Sequence, residues 1–465
     1  MQYAKSEFKS SCQSFLLFIT VYKKCKAWLN SAEFKEKYKN HPFPPYLNPS
    51  LVDYSKINPN LAWDLNLKIP HHYDCLYISN GLSASAATEM FFKTCNVNFI
   101  HFPLLRNKEF YKNLLTKYNN QKKNVISLGY GSFMSGYCLY DIQNAKHLKE
   151  LLPKNIPFFY IVRDPISRIK SALNHLAGSK NIFFKKFNLT FSYQNLIPQA
   201  KYWCSDDSRP SFGLFKTSSF FNNDYQWWMI WWQTFLASDS IFSTFKDNIG
   251  LVHCINFDDL TGKKSIKSFC KAAEFFKFDL PENTEIFGNK VWNAMQGFLP
   301  STLYIHSDDL SKTEASEESL DKEGGFNIII TLPSHLKEEE KSLMDISNEI
   351  EENLMRDETR ILMLIKENDL KNLKENTPLY QRTIQFLKGY VDAIQNEIER
   401  RKSVVFKEED VLEFFKNNKE QRLFIKNILD SELNYIKQNH PDYIARWKYY
   451  LAFEKLCADL DGNEK

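Results

Sequence analysis

The sequence of 465 residues lacks several features that mark particular protein classes. It has no marked excess of charge: the formal net charge is only +4 at pH 7, which argues against a dedicated nucleic-acid-binding protein. It also has no long hydrophobic run, because the apolar stretch at 15–19 is too short to span a membrane and carries no small-residue cleavage site. We therefore predict a cytoplasmic protein without nucleic acid as a partner. Membrane contact is at most peripheral, through an N-terminal amphipathic helix, and packing of that helix on the protein or a partner is the favoured alternative.

No C-x-x-C pair occurs among the cysteines, whose number is odd. Scattered cysteines within apolar runs are typical of reduced, mostly buried thiols in a cytoplasmic protein, and they suggest no metal site. The nine are Cys12, Cys25, Cys75, Cys95, Cys138, Cys204, Cys254, Cys270 and Cys457.

The hydrophobic fraction of 43% is ordinary, so a chain of this length can bury one large core and carry an accessory region. A proline-containing strap within 1–72 follows an N-terminal helix, and apolar strands alternate with helices through 73–305, which predicts an α/β domain with a three-layer parallel sheet. Residues 306–333 are polar and acidic, as expected of a flexible linker or loop.

From 334 to 465 the sequence is charged, and its apolar residues recur at helical spacing. We predict an appended all-α C-terminal region of four to six helices. Its expected roles are packing on the α/β domain, partner binding or homodimer formation. The stripes include Leu343, Ile346, Ile350 and Leu354, followed by Ile361, Leu364 and Ile365.

The segment 157–175 carries the clearest functional signal. The apolar run at 158–162 predicts a buried strand, and Asp164 and Pro165 are suited to the N-cap and first position of a following helix. Arg163 stands at the carboxyl end of the strand, and Ser171 follows in the helix. Together with the helix N-terminus they could hold a phosphate. The alternative is an ordinary strand–helix junction in which the arginine forms a salt bridge.

A second strand–loop–helix segment lies earlier in the chain. The predicted strand at 75–78 is followed by a loop of small residues that contains Gly81, Ser83 and Ser85, with Thr88 in the helix that follows. Small residues let backbone amides approach an anion closely, and the hydroxyls add donors. A tight turn without a ligand remains the alternative.

In this order the two segments resemble the nucleotide-binding motifs of sulfotransferases that use 3′-phosphoadenosine 5′-phosphosulfate (PAPS). Arg163 and Ser171 match the 3′-phosphate motif in type and spacing, and the loop at 81–88 resembles the 5′-phosphosulfate loop. The segment 257–260 resembles a later structural landmark, in which Asp259 is expected to cap a helix or pair with a core arginine. The resemblance covers about 73–300 and implies a P-loop-like, sulfotransferase-like fold. Ala84 departs from it, because the family usually has a lysine or arginine there.

The resemblance implies a transferase that moves a sulfuryl group from PAPS to a hydroxyl of a carbohydrate or small-molecule acceptor, by analogy a bacterial surface glycan, with PAP as product and no metal. His101, which follows the second strand, is the candidate general base, and a structural histidine is the alternative. Lys93, Arg106 or Arg168 could supply the cation that Ala84 lacks. Two other hypotheses stay open: a transferase with a nucleotide-sugar donor in the same cleft, and a non-catalytic sulfotransferase-like scaffold.

Overall fold

The computed structural model divides the chain into two compact units. The first unit comprises Met1–Arg168, Thr217–Asn289 and Phe415–Lys465, and the second comprises Ile169–Lys216 and Lys290–Phe414. The structure describes residues 22–70, 74–78, 82–101, 107–117, 123–128, 146–175, 185–197, 202, 209–212, 246–288, 294–311 and 324–462.

The strands of the described residues are numbered in chain order. They are β1 (Cys75–Ile78), β2 (Asn98–His101), β3 (Asn124–Leu128), β4 (Ile156–Val162), β5 (Lys186–Asn188), β6 (Ile249–Asn256), β7 (Ser301–Ile305), β8 (Phe326–Thr331), β9 (Met344–Asp345), β10 (Met355–Arg356), β11 (Thr359–Arg360) and β12 (Leu362–Ile365).

The α-helices are numbered in the same way. They are α1 (Ala32–Tyr38), α2 (Pro59–Asp64), α3 (Ser85–Thr94), α4 (Asn107–Lys117), α5 (Lys146–Leu151), α6 (Pro165–Leu173), α7 (Tyr193–Leu196), α8 (Lys263–Phe276), α9 (Glu367–Glu375), α10 (Thr377–Val404), α11 (Glu408–Asn417), α12 (Lys419–Glu432), α13 (Asn434–Asn439), α14 (Pro441–Arg446) and α15 (Lys448–Asp461). In the part of the chain that the structure describes, no helix combines the length and apolarity needed to cross a bilayer.

The first unit is built on a parallel sheet in the order β2-β3-β1-β4-β6. In register, Leu76 of β1 lies beside Ile126 of β3 and Phe158 of β4. Strands of a parallel sheet are buried on both faces, which explains their continuous apolar sequences. The predicted α/β organisation with a parallel sheet is confirmed.

Aromatic rings fill the core beside this sheet. The Phe91 ring of α3 stacks on the Phe269 ring of α8 with centroids 4.7 Å apart, and the Phe159 ring of β4 meets the Phe276 ring of α8 edge-on at 5.6 Å. All four side chains are buried. The described cysteines form no disulfide, and Cys75, Cys95, Cys254 and Cys457 are buried, as predicted; Cys12, Cys138 and Cys204 lie outside the described residues.

The strap before β1 packs within the first unit and is irregular, as expected, except for the short helix α2 and a 3-10 turn at Pro49–Leu51. Its Trp63 ring contacts the rings of Tyr111 and His147, with centroids 5.4 and 4.2 Å away. Leu65 is buried. The backbone N–H of Ile69 donates to the carbonyl of Leu151 at 2.8 Å, so the end of the strap is fixed beside the segment that leads into β4.

The second unit contains a largely antiparallel sheet in the order β5-β7-β8-β12-β9. The long helix α10 contributes Phe386, Tyr390 and Ile394 to a core shared with Leu303 and Ile330 of the sheet. Strand β8 occupies part of the stretch predicted as a linker at 306–333.

The prediction of helix throughout 334–365 was wrong. Ile346 and Leu354 are buried, but they come from short turns, and Leu364 and Ile365 belong to strand β12. A spacing of three and four residues indicates which side chains face a core. Turns and strands can bury the same residues, so the spacing does not require a helix. From Glu367 to Asp461 the chain is helical, as predicted, but it forms seven helices, α9 to α15, and not four to six. The units also divide the chain differently from the predicted domains, since Phe415–Lys465 joins the sheet of the first unit.

Candidate functional site

The crevice between β1 and β4 is the topological switch point of the first sheet. The two strands are direct neighbours. From β1 the chain continues through α3 to β2 at one edge of the sheet, whereas from β4 it leads on to β6 at the other edge. In open α/β sheets, ligands bind outside the carboxyl ends of strands where the connections diverge in this way. The two loops singled out in the sequence are the loops that follow β1 and β4.

The loop after β1 has an unusual backbone. Leu82 and Ala84 both adopt left-handed conformations, with φ of 64° and 58°. Ser83 between them is buried, and its Oγ has no hydrogen-bond partner. Backbones that alternate between left- and right-handed conformations form concavities in which N–H groups can bind an anion. Gly81 lies outside the described residues.

Helix α3 begins directly in this loop. Its N-cap residue is Ala84, which offers no side-chain acceptor to the first-turn N–H groups. Ser85 is the first helical residue and is half-buried. The Thr88 hydroxyl donates to the Ala84 carbonyl oxygen at 3.0 Å, so that proton is engaged within the loop. The arrangement leaves the helix N-terminus, with its partial positive charge, without a cap from its own N-cap side chain.

The strain at Ala84 gives a testable difference in stability. A left-handed non-glycine residue costs about 1–2 kcal/mol, and glycine removes most of that strain. We expect Ala84→Gly to raise the free energy of unfolding by about 1 kcal/mol. The matched change Ala86→Gly, at an exposed position in the first turn of α3, should lower it by about 0.5–1 kcal/mol. Urea denaturation of both variants checks the opposite signs; a loss of stability in Ala84→Gly would show that the loop is unstrained.

The Arg163 side chain joins the two loops. Its Nη1 donates to the carbonyl oxygen of Leu82 at 2.5 Å, and its guanidinium lies 4.2 Å from the ring centroid of Phe257, which follows β6. A guanidinium carries five N–H donors in a fixed plane, so one contact orients the whole group. The cation is thereby held at the carboxyl edge of the sheet, beside the α3 loop.

Asp164 caps two helices at once. Its Oδ1 accepts from the N–H groups of Ile166 and Ser167, at 2.9 and 3.4 Å, in the first turn of α6. Its Oδ2 accepts from those of Tyr449 and Tyr450, both at 3.1 Å, in the first turn of α15. Burial raises the pKa of Asp164 above its usual value. The four N–H donors lower the pKa, but burial has the larger effect. The predicted N-cap role is confirmed, and the second helix is an addition that the sequence did not reveal.

The C-terminal helices meet the same edge of the first sheet. Arg446 of α14 donates to both carboxylate oxygens of Asp259, at 3.0 and 2.7 Å, which lowers the pKa of that carboxyl. The Trp447 indole N–H donates to Asn256 Oδ1 at 3.4 Å at the end of β6. The expected Asp259–arginine pair therefore exists, but the arginine is 40% exposed and not part of the core. No motif in the sequence indicated that α14 and α15 would contribute here.

The remaining candidates are placed less closely. His101 is the last residue of β2, whose backbone lies beside Ser127 of β3, so two strand spacings, about 10 Å, separate its strand from β1. Ser171 lies in the half of α6 that belongs to the second unit. Its role in binding a 3′-phosphate together with Arg163 stays a prediction.

The cations considered as substitutes at Ala84 have other contacts. Lys93 pairs with Glu89 at 2.7 Å. Arg168 is buried and pairs with Glu432 of α12 at 3.0 Å, so it stabilises the first unit internally. Arg106 lies outside the described residues. None of these contacts supplies a cation to the loop after β1.

In comparisons with known proteins, only the later part of the chain gave a match. Residues 254–460, rather less than half of the sequence, match a family model described as a protein of unknown function, DUF2972. The matched segment begins at the end of β6 and includes the partners of Asp164 and Arg168 on α15 and α12, but not the loops after β1 and β4. No curated protein and no solved structure gave a match.

Proposed function

We propose that the crevice between β1 and β4 binds the phosphate groups of PAPS, and that the protein transfers its sulfuryl group to a hydroxyl of a carbohydrate or small-molecule acceptor. In that reaction the acceptor oxygen forms a bond to sulfur, the bond between sulfur and the 5′-phosphate oxygen breaks, and PAP leaves. The acceptor proton passes to a base, for which His101 is the candidate. Catalysis would rest on positioning and on stabilising charge at the leaving phosphate.

The contact between Arg163 and the Leu82 carbonyl carries this proposal. It brings the loop after β1 and the residue after β4 together at the switch point, where a ligand with two phosphate groups could reach both. The unpartnered Ser83 hydroxyl and the uncapped start of α3 supply two groups that an anion would satisfy. These observations fit a phosphate-containing nucleotide and require no metal.

Ala84 favours a second candidate. Sulfuryl transfer profits from a cation at the transferring group, and Ala84 supplies none from within the loop. A nucleotide-sugar donor, whose sugar leaves from a diphosphate, could use the same crevice. A scaffold without a ligand is the remaining alternative.

Thermal stabilisation of the full chain separates the three. We expect about 1 mM PAP to raise Tm by a few degrees, because ligand that binds only the folded state stabilises it by mass action. Arg163→Ala should abolish this shift. Stabilisation by UDP- or CMP-sugars alone would favour the second candidate, and no response to any of these ligands would contradict both enzymatic proposals.

Arg446→Ala is the matched control, since Arg446 lies at the same sheet edge and contacts Asp259, which follows β6, and not the loop after β1. It should lower Tm slightly, because an exposed ion pair contributes about 0.2–1 kcal/mol, and leave the PAP-induced shift intact. If both variants lose the PAP-induced Tm shift equally, PAP binding depends only on the general positive charge of this sheet edge and not on Arg163 itself.

A further inference from the structure

A cavity lies at the opposite edge of the first sheet, away from the crevice. Pro153, Lys154 and Asn155, which directly precede β4, form one wall together with Ile69 and Pro70 from the end of the strap. Residues before parallel strands stand at the amino edge of a sheet, whereas the loops after β1 and β4 stand at its carboxyl edge. The cavity has a volume of about 650 Å³, within the range of small-molecule sites.

The walls of this cavity are held in place by hydrogen bonds. Asn248 donates through Nδ2 to the carbonyls of Lys149 and Pro153, at 3.0 and 2.8 Å, and the N–H of Ile156 donates to the Asn248 carbonyl at 2.7 Å. Trp28 on the facing wall donates through its indole N–H to the Pro45 carbonyl at 2.8 Å. The site is therefore preformed, which reduces the ordering that a ligand must impose.

Side chains of two kinds line the cavity. Tyr38 and Tyr54, both half-buried, supply aromatic surface that suits the CH-rich faces of a ligand, and the Trp28 indole, only 5% exposed, supports Tyr38 edge-on with ring centroids 6.1 Å apart.

Lys37, Lys68 and Lys154, all exposed, supply positive charge. Partial burial and, next, the repulsion from Lys154 lower the pKa of Lys68, and the attraction of Glu150 is the smallest of the three influences. Lys68 and Lys154 therefore repel each other at this wall, and an anionic group beside them would relieve that repulsion.

Polar groups restrict the class of anion further. Asn48, Ser50 and Asn155 offer amide and hydroxyl groups suited to the hydroxyls of a ligand, and Glu33 offers a carboxylate that can accept from a hydroxyl. The same carboxylate would repel a ligand with many negative charges. The combination suits a molecule with several hydroxyls and one anionic group.

We infer that this cavity binds an acidic sugar, a monosaccharide or disaccharide that carries one carboxylate or phosphate, at a site separate from the nucleotide crevice. The anionic group lies against Lys68 and Lys154, and the ring packs against the aromatic wall. The inference is independent of the proposed transferase activity, since none of its residues belongs to the crevice.

Calorimetric titration of the full chain with glucuronate and with glucose 6-phosphate tests the inference, with glucose and inorganic phosphate as probes of the separate parts. We expect at least one acidic sugar to bind about tenfold more tightly than either glucose or phosphate. Because an anion raises the pKa of Lys68, binding at alkaline pH should take up protons, which titrations in two buffers measure.

The double variant Lys68→Gln/Lys154→Gln should weaken binding about tenfold or more without lowering Tm, since both side chains are exposed. Lys56→Gln, an exposed lysine of the same strap that pairs with Asp53 outside the cavity, should leave binding unchanged. Arg163→Ala should also leave it unchanged, which separates this result from the outcome of the PAP experiment. No binding of either acidic sugar at about 20 mM, or equal binding of phosphate alone, would overturn the inference.

Discussion

Replacement of Glu432 by alanine should lower the free energy of unfolding by about 3–5 kcal/mol. Glu432 on α12 pairs with Arg168 at 3.0 Å, and the two side chains are only 1% and 3% exposed. Removal of the carboxylate takes the ion-pair partner at 3.0 Å away from a buried guanidinium, and the weakened compensation of this desolvated charge is the main source of the loss. Urea denaturation followed by tryptophan fluorescence, with hydrogen exchange of α6 and α12, would measure the effect.

The matched control is Glu420→Ala on the same helix. Glu420 is exposed, so its removal should change stability by no more than about 1 kcal/mol, the part due to its place in the first turn. The double variant Arg168→Met/Glu432→Leu should recover most of the stability lost in Glu432→Ala, because two apolar side chains replace the pair without a buried charge. A loss in the double variant equal to that in Glu432→Ala would contradict this account, because a variant without a buried charge would then be no more stable than one that keeps it.

Replacement of Asp164 by alanine should lower the free energy of unfolding by about 1–4 kcal/mol, because two N-caps are lost together and each contributes about 0.5–2 kcal/mol. The four backbone N–H groups of α6 and α15 that lose their acceptor are in part buried, so water replaces the carboxylate poorly. Hydrogen exchange should show faster exchange in the first turns of both helices.

Asp459→Ala on α15 is the control, since Asp459 is exposed and its loss should change stability by less than about 0.5 kcal/mol. An effect of Asp164→Ala confined to α6, with exchange in α15 unchanged, would contradict the double cap. Such a result would also remove the connection between the β4 junction and the C-terminal helix.

Much of the first unit was predictable from local sequence pattern. The strand at Cys75–Ile78 was predicted with the bounds that the structure gives, and the N-cap at Asp164 followed from the residue type and the proline after it. Both signals act over a few residues: apolar runs mark buried strands, and caps depend on one side chain and the next turn. The place of Arg163 beside the loop after β1 followed from the general geometry of parallel sheets.

What the sequence left undetermined depends on distant contacts. The sequence suggests Arg168 as a possible cation for the loop, but its partner Glu432 is 264 residues away, and no local pattern indicates such a pair. The strand β12 was read as helix because Leu364 and Ile365 fit a helical stripe, whereas pairing with β8 and β9 decides their conformation. Strand formation depends on partners across the sheet more than on the strand's own sequence.

The placement of α12 and α15 in the first unit has a consequence for biosynthesis. A ribosome adds about 5–20 residues per second, so roughly 15–50 s pass between the emergence of Arg168 and that of Glu432. During this interval Arg168, which is buried in the folded protein, stays exposed, and so does the apolar surface that α12 and α15 later cover. Chaperone dependence during translation should therefore persist until Phe415–Lys465 has left the exit tunnel.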